Sequence, residues 1–535
     1  MDRQVLLLLL LSLLLSMMMK VNSSSSGGGS YYPSTPPAYC STNSSVRSIP
    51  PLSAADMALV DSLLQVQVLI RHGSRTLDEV ESCWNNYNIT WNNCNCTTLQ
   101  IPSNSYTSSN VAQPWLFRKL YDGSPNDLGG NCETGQLLGF GYEQQQDNGR
   151  ILRAAYLNTS SKLSLFNTTI INDIPSGQLY FRSDDVPRTL MSGQTLLSTM
   201  FNATNEIIIP WHLGDYNLDE IYPNSNACPR LFTASSAAYS SAAWKSYNSS
   251  AYIKNLTSNL SSIFGVGQWS WSDNLDCMMS TVCTGRSIPT VGPQMTDTLF
   301  NEAVNYTEFK YAYMALYNSS LYSKLALGRI AYDVRTRILP ALNSTTYNNF
   351  VLYSGHDTTL MPFLAALLGA NWDRKWASYA SMVSIEIYNS STPGSRQLLR
   401  VIFNGVQQPV PGCSKPGLCN ISVLLGALSF GQENMPCDFQ AVVSDDDYYT
   451  NDDDNTDDCN PNSSKKKDSK LSDRDWAGLC ILSAVLGGLL GCSGLVFYQR
   501  RSRSSYKRSN GLNNVLVGEE NRNALSMSLN NNISI

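Results

Sequence analysis

Three short runs of strand-forming residues stop abruptly on polar residues and pass at once into a helical pattern, and this restricts the chain to an α/β fold more than any other feature. The first, Leu64-Gln-Val-Gln-Val-Leu-Ile70, is β-branched and partly alternating and ends at Arg71-His72-Gly73. The second, Gln178-Leu-Tyr-Phe181, ends at Arg182-Ser183-Asp184-Asp185, after which Val186-Pro187-Arg188 opens an apolar-periodic segment from Thr189 to Phe201. Asp184 or Asp185 is a candidate N-cap there, with Pro187 in the first turn where proline is tolerated. The third, Asn349-Phe-Val-Leu-Tyr353, ends at Ser354-Gly355-His356-Asp357 and continues with helical spacing from Thr358 to Leu368. In open α/β sheets ligands gather outside the carboxyl ends of strands, and anions sit on helix N-termini. Neighbouring strands can therefore bring His72 and His356 to one crevice. The expected fold class is α/β with a doubly wound central sheet. The irregular, cysteine-rich stretches Leu77 to Gly130 and Phe201 to Gln294 are too long for simple crossovers and predict a second, mainly helical cap subdomain.

With 535 residues, of which 15% are charged, the chain can bury a sizeable core. Its formal charge of −5 is misleading, because eight aspartates between Asp445 and Asp458 exceed it and the segment from Gln499 to Ile535 is basic. The remaining body is near neutral, which leaves no footprint for a nucleic-acid partner. The start, Met-Asp-Arg followed by the apolar run Leu6 to Leu15, predicts a signal peptide over 1–22. Residues 23–39, rich in Ser, Gly and Pro, read as a flexible leader. The catalytic body is expected over 40–443, with an acidic stalk over 444–475. The uncharged stretch 476–498 is long enough to cross a bilayer core of about 30 Å. The Arg-rich flank after Gln499 then puts the tail 499–535 in the cytoplasm. This makes a single-pass type I membrane protein, in the lysosomal or plasma membrane with its body luminal or extracellular. Sequons such as Asn88, Asn158 and Asn255 agree with that topology, as do twelve cysteines between signal and span. The pair Cys94 and Cys96 has no histidine nearby and no second pair, so the cysteines read as structural disulfides and not as a metal clip.

Only three histidines occur, His72, His212 and His356, and two of them end predicted strands beside Arg or Asp. Between Arg71 and Arg75, His72 should have its pKa pushed down. A neutral imidazole among cations suits a nucleophile aimed at a phosphoryl group, whose oxygens guanidinium forks can hold. Asp357, beside His356, is the natural proton donor to a leaving oxygen, a task that asks for a protonated carboxyl. His212 lies outside these clusters and reads as a packing residue.

Taken together, RHGSR at 71–75, FRSDDVPRTLMS at 181–192 and LYSGHDTTL at 352–360 resemble the three signatures of the histidine acid phosphatases, in the same order. Gly135-Gln-Leu-Leu-Gly-Phe-Gly141 with Gln145 resembles that family's intervening helix, and Glu386-Ile-Tyr388 its next strand, so the likeness covers roughly residues 60–440. The resemblance implies a phosphoglycerate mutase-like core. It further implies that His72 forms a phosphohistidine, that Arg71, Arg75, Arg188 and His356 bind phosphate, and that Asp357 protonates the leaving group. It implies no metal or other cofactor, a small phosphomonoester as partner, and allows a homodimer. Arg182 belongs to the same motif but reads as more structural.

One departure stands out. The family pattern ends R-H-G-x-R-x-P, whereas Thr76-Leu77 stand here, which bears on the path of the loop more than on the chemistry. The insertion from Leu77 to about Cys132, with Trp84 and Trp91, is expected to wall the pocket. The leading expectation is thus an acid phosphatase. Its rivals are a narrower enzyme for an inositol polyphosphate, lysophospholipid or phosphosugar, and an inactive receptor-like ectodomain, since a fold alone does not fix function.

Overall fold

The computed structural model describes residues 29–431, apart from 79–82, 93, 95–96, 101–114, 119–127, 158–160, 205–206, 344–345, 393–395 and 414–416. The expected signal peptide, acidic stalk, membrane span and cytoplasmic tail all lie outside the described residues. Among the described residues no helix is long and apolar enough to cross a membrane.

The centre is a seven-stranded mixed sheet. Its principal strands are β1 (Val60–Arg71), β2 (Leu179–Ser183), β3 (Phe350–Gly355), β4 (Met382–Ser390) and β5 (Leu398–Phe403). β1, β3 and β2 run parallel in that spatial order, and β4 lies antiparallel on the other side of β1, followed by β5. Two short strands, Val406–Gln407 and Cys419–Asn420, complete the sheet on β5. The period-2 alternation of β1 sends Val66, Val68 and Ile70 to one face and Leu69 to the other. The first face packs helices α1 (Gly139–Tyr156) and α2 (Pro187–Met200), through residues such as Leu152, Leu196 and Met200. The second packs α5 (Gly328–Asn343) and α6 (Asp357–Leu368), through Ile330, Val334, Phe363 and Leu364. Both faces are covered, so the sheet is doubly wound as expected. Gln65 and Gln67 interrupt the apolar pattern of β1 for a reason: their buried amides donate to the carbonyls of Arg337 and Val334 on α5.

A second apolar cluster forms the helical cap. It contains Trp244, Leu256, Leu260 and Met278, drawn from helices that include α3 (Asp273–Cys283), together with Phe300 and Tyr306 of α4 (Asp297–Ala326). α4 leaves helical geometry at Tyr317–Ser320, and its later part packs in the main core through Leu325 and Ala326. Disulfides Cys40–Cys283 and Cys83–Cys277 tie the N-terminal segment and the insertion to α3, and Cys94–Cys132 closes the insertion on itself.

The leader expectation fails from residue 29 onward. Gly29–Tyr31 pairs antiparallel with Ile288–Thr290, and Tyr31 is buried against Phe300 with its hydroxyl donating to Asp297 at 2.7 Å. One apolar aromatic at the end of a Gly-Ser run was enough to fix it, which composition alone does not register.

Across β4 and β5, Glu386 lies opposite Arg400 in a buried ion pair, and the same carboxylate accepts from Tyr156 at 2.8 Å and Tyr388 at 2.6 Å. Replacing Arg400 with Met strands this carboxylate and should cost about 3–5 kcal/mol. The measurement is the urea midpoint. Adding Glu386→Gln to the Arg400→Met variant should return part of the loss, and a midpoint that falls further would refute the pairing argument.

Candidate active site

The register of the parallel strands brings the three junctions together. Arg71 lies opposite Gly355, and Ser354 lies opposite both Ile70 and Ser183, so the chain leaves β1, β2 and β3 along one edge. Each junction then enters its helix differently. His356 is the N-cap of α6, with its backbone N–H donating to Thr359 Oγ1 at 3.0 Å. α2 is capped by Val186 without a side-chain bond, and not by Asp184 or Asp185 as the sequence suggested. The reason is that the Asp184 carboxylate is used elsewhere, accepting from Thr189 and from His356. After β1 the loop crosses the start of α1 at close range. A Cβ on Gly73 would lie 2.2 Å from Gly141 O, so the glycines of both motifs are required by contact.

His72 is buried, and its Nδ1 lies 2.8 Å from Gly73 O. A carbonyl only accepts, so Nδ1 carries the proton and Nε2 keeps a free lone pair. Burial, then Arg71, Arg188, His356 and Arg75, push the His72 pKa well below the ordinary histidine value. A neutral nucleophilic nitrogen surrounded by cations is what phosphoryl attack asks for.

The arginines are supported from several elements. Arg71 is fully buried between the rings of Tyr39 and Tyr379, with Cζ 4.6 and 4.3 Å from their centroids. It donates to Ala377 O at 2.7 Å and Tyr39 OH at 2.6 Å, and pairs with Asp357 at 2.9 Å. Arg75 forks onto Asp276 of α3 at 3.0 and 3.2 Å. Arg188, in the first turn of α2, lies 3.5 Å from Asp78. The Nε atoms of Arg71, Arg75 and Arg188 are all buried without an acceptor. All three guanidiniums act electrostatically on His72, and the positive charge gathered there suits an anion with several oxygens.

Asp357 begins α6. Its Oδ2 accepts from Trp376 Nε1 at 2.8 Å and its Oδ1 from Thr358 N at 2.8 Å. Burial alone would raise its pKa, but Arg71, the Trp376 bond, His356 and Arg75 outweigh burial and hold the carboxyl below the ordinary range. The protonated acid envisaged from the sequence is therefore not its resting form.

Asp184 is the residue that sequence reasoning missed. His356 Nε2 donates to its Oδ2 at 2.7 Å, and Asp184 is fully buried, so it fixes the orientation of the imidazole. The rings of His72 and His356 stand edge to face with centroids 5.5 Å apart. Arg182 points away into Asp219 at 2.9 Å and Asp333, a structural role. His212 stacks on Tyr180 at 4.3 Å and lies 2.9 Å from Phe181 O, a packing histidine as expected.

The missing proline is compensated by other means. Thr76 Oγ1 donates to Glu133 O at 2.7 Å and accepts from Gln136 N at 3.0 Å, while Leu77 is fully buried against Trp91 and Leu138. A cavity of about 1070 Å³ opens beside these groups, lined among others by Tyr39, Arg75, Asp78, Asp276, Asp357 and Trp376.

A buried histidine among three arginines suits phosphoryl chemistry, and residues 62–404 match the histidine phosphatase superfamily (branch 2), to which the chain belongs. Among curated proteins it is 26% identical over 362 residues to counting factor 60 of Dictyostelium discoideum, covering 66% of this chain and 82% of that protein. It is 24% identical over 393 residues to human lysophosphatidic acid phosphatase type 6, covering 69% and 83%. It is also 25% identical over 292 residues to human 2-phosphoxylose phosphatase 1, covering 51% and 56%.

Proposed function

We propose that this chain hydrolyses phosphomonoesters through a phosphohistidine at His72, and that its substrate carries a single phosphate on a largely apolar body, as a lysophospholipid does. The observation that carries the chemistry is the neutral, buried His72 set among three arginines with unfilled Nε donors, with Asp357 within reach of Arg71. His72 Nε2 forms a bond to phosphorus as the ester P–O bond breaks, and the departing oxygen takes the proton of Asp357. Water then attacks the phosphohistidine and gives a proton back to Asp357, the P–N bond breaks, and His72 returns neutral.

The substrate reading rests on the cavity. It is larger than a phosphate requires, its walls include Trp271, Leu275, Met279 and Val304, and Asp273 and Asp373 add negative charge, while Glu308 is paired with Lys375 on the same wall. Such a lining opposes an inositol polyphosphate and suits one phosphate with an apolar tail. The relative that acts on lysophosphatidic acid, by its name, points the same way.

We further infer a type I anchored protein with this body in an acidic lumen or at the cell surface. The charged-then-apolar start, the sequons and the four disulfides among the described residues support it.

The test of substrate class compares a lysophosphatidic acid, a sugar phosphate and inositol hexakisphosphate at acidic and neutral pH. The lysolipid should have a kcat/KM at least about tenfold above the hexakisphosphate, in line with one misplaced charge per binding subsite. Preference for the hexakisphosphate would overturn the substrate reading.

A further inference from the structure

Asp78 stands three residues beyond Arg75, where its carboxylate spans the two phosphate-facing arginines. Its Oδ2 lies 3.7 Å from Arg75 Nη2 and its Oδ1 3.5 Å from Arg188 Nη1. Both distances are long for hydrogen bonds, so the contact is coulombic: Asp78 neutralises the pair while their Nε donors stay empty. Two further contacts hold it there. Its backbone N–H donates to Asp276 Oδ2 at 2.9 Å, and Asp276 is also the fork partner of Arg75. Gly135, at φ +66°, leaves the space the pair needs, because a Cβ there would lie 2.8 Å from Asp78 Oδ1 and 3.0 Å from Arg188 Nη1. With Asp357 on Arg71, each guanidinium already faces a carboxylate before any substrate binds.

We propose that Asp78 is a specificity-determining residue that competes with the phosphoryl group for Arg75 and Arg188, weakening the hold on free phosphate and excluding substrates with a second phosphate beside the first. This rests on the phosphatase reading of the His72 site. Asp78 is half exposed, so it can swing aside when a substrate oxygen enters, whereas Asp276 is less exposed and is held by hydrogen bonds from Arg75 and from the Asp78 backbone. Arg75 above all, then Arg188, His356 and Arg71, hold the Asp78 carboxyl below the ordinary carboxylate range against its partial desolvation, which favours the charged form of the competitor. Product release benefits directly, since inorganic phosphate has no leaving-group contacts to offset the repulsion. A vicinal bisphosphate suffers most, having a second anion against Asp78 and Asp276.

The experiment uses the full-length protein with Asp78→Asn and Asp78→Glu. Asp78→Asn should lower both the inhibition constant of inorganic phosphate and KM for p-nitrophenyl phosphate about tenfold, the scale of one partly screened charge. It should also raise the relative rate on a vicinal bisphosphate. Asp78→Glu, which keeps the charge, should stay near wild type. An unchanged or weakened phosphate affinity in Asp78→Asn would overturn the proposal and make Asp78 a positioning group for Arg188. Calorimetric titration with inorganic phosphate reads the cradle without turnover. If the wild type hydrolyses nothing above a His72→Ala control, the phosphatase reading fails. Tighter phosphate binding by Asp78→Asn would then still uphold the competition.

Discussion

A His72→Ala protein should fold normally and lose at least about 10⁴-fold in kcat, the scale seen when a nucleophile is removed from a group acting as a unit. Folding should survive because the imidazole's hydrogen bond is to the carbonyl of the next residue, Gly73, and the loop is held independently. Gly73 N donates to Ser192 Oγ, Ser74 N to Gln144 Oε1, and Gln145 Nε2 to Arg71 O. The check is a rate measured on p-nitrophenyl phosphate beside a thermal melt. A variant that melts as wild type and turns over within tenfold would remove His72 from the reaction. Wild type quenched in alkaline denaturant should carry phosphate on His72 that survives base and is released by acid, and the variant should carry none.

Asp357→Asn separates proton donation from phosphate binding. With an alkyl phosphate, whose alkoxide must be protonated as it leaves, kcat should fall by about 10²–10⁴-fold. With p-nitrophenyl phosphate, whose phenolate leaves unaided, the first step should be nearly spared and phosphoenzyme should accumulate, because the water attack has lost its base. The pH dependence follows in sign from the electrostatics. Arg71 and Trp376 hold the free Asp357 carboxyl low against burial, so the acid form grows only as pH falls. The wild-type kcat/KM on alkyl phosphates should therefore rise toward acidic pH, and the Asp357→Asn profile should lose that limb. Equal losses in the phosphorylation step itself, read as the burst rate on both substrates, would reject the donor role.

The three strand ends were legible because β-branched runs that stop on polar residues are a local signal, and the structure moves their bounds by only a few residues. β1 begins at Val60, ahead of the expected Leu64, because its early residues pair with β4, a partner the local pattern does not contain. His72, Arg71, Arg75, Arg188, His356 and Asp357 could be named from motif residues alone. What supports them could not. Asp184 looked like a helix cap because acids before a helix usually are; its true partner lies 172 residues away. The only sequence hint was the doubled acid, Asp184-Asp185, where one cap suffices. Tyr39 and Trp376 carry no motif and Tyr379 only the family-like stretch Ala377-Ser-Tyr-Ala380, which does not foretell its partner; the contacts of all three with Arg71 and Asp357 arise from tertiary packing. Asp276 arrives from the cap, whose helices are amphipathic in an ordinary way and announce nothing about the site.

The parallel register of β1, β3 and β2 has a consequence for how such a protein can change over time. The reacting groups ride on strand ends whose spacing is set by main-chain hydrogen bonds, so it does not depend on neighbouring side chains. The cavity beside them is lined from separate stretches of chain: the insertion bearing Asp78, the cap helix bearing Asp276, and the loop bearing Trp376. Those stretches can be rewritten by insertion or substitution while the reacting core keeps its dimensions. A lineage built this way can exchange one phosphorylated compound for another without passing through an ancestor that has lost its chemistry.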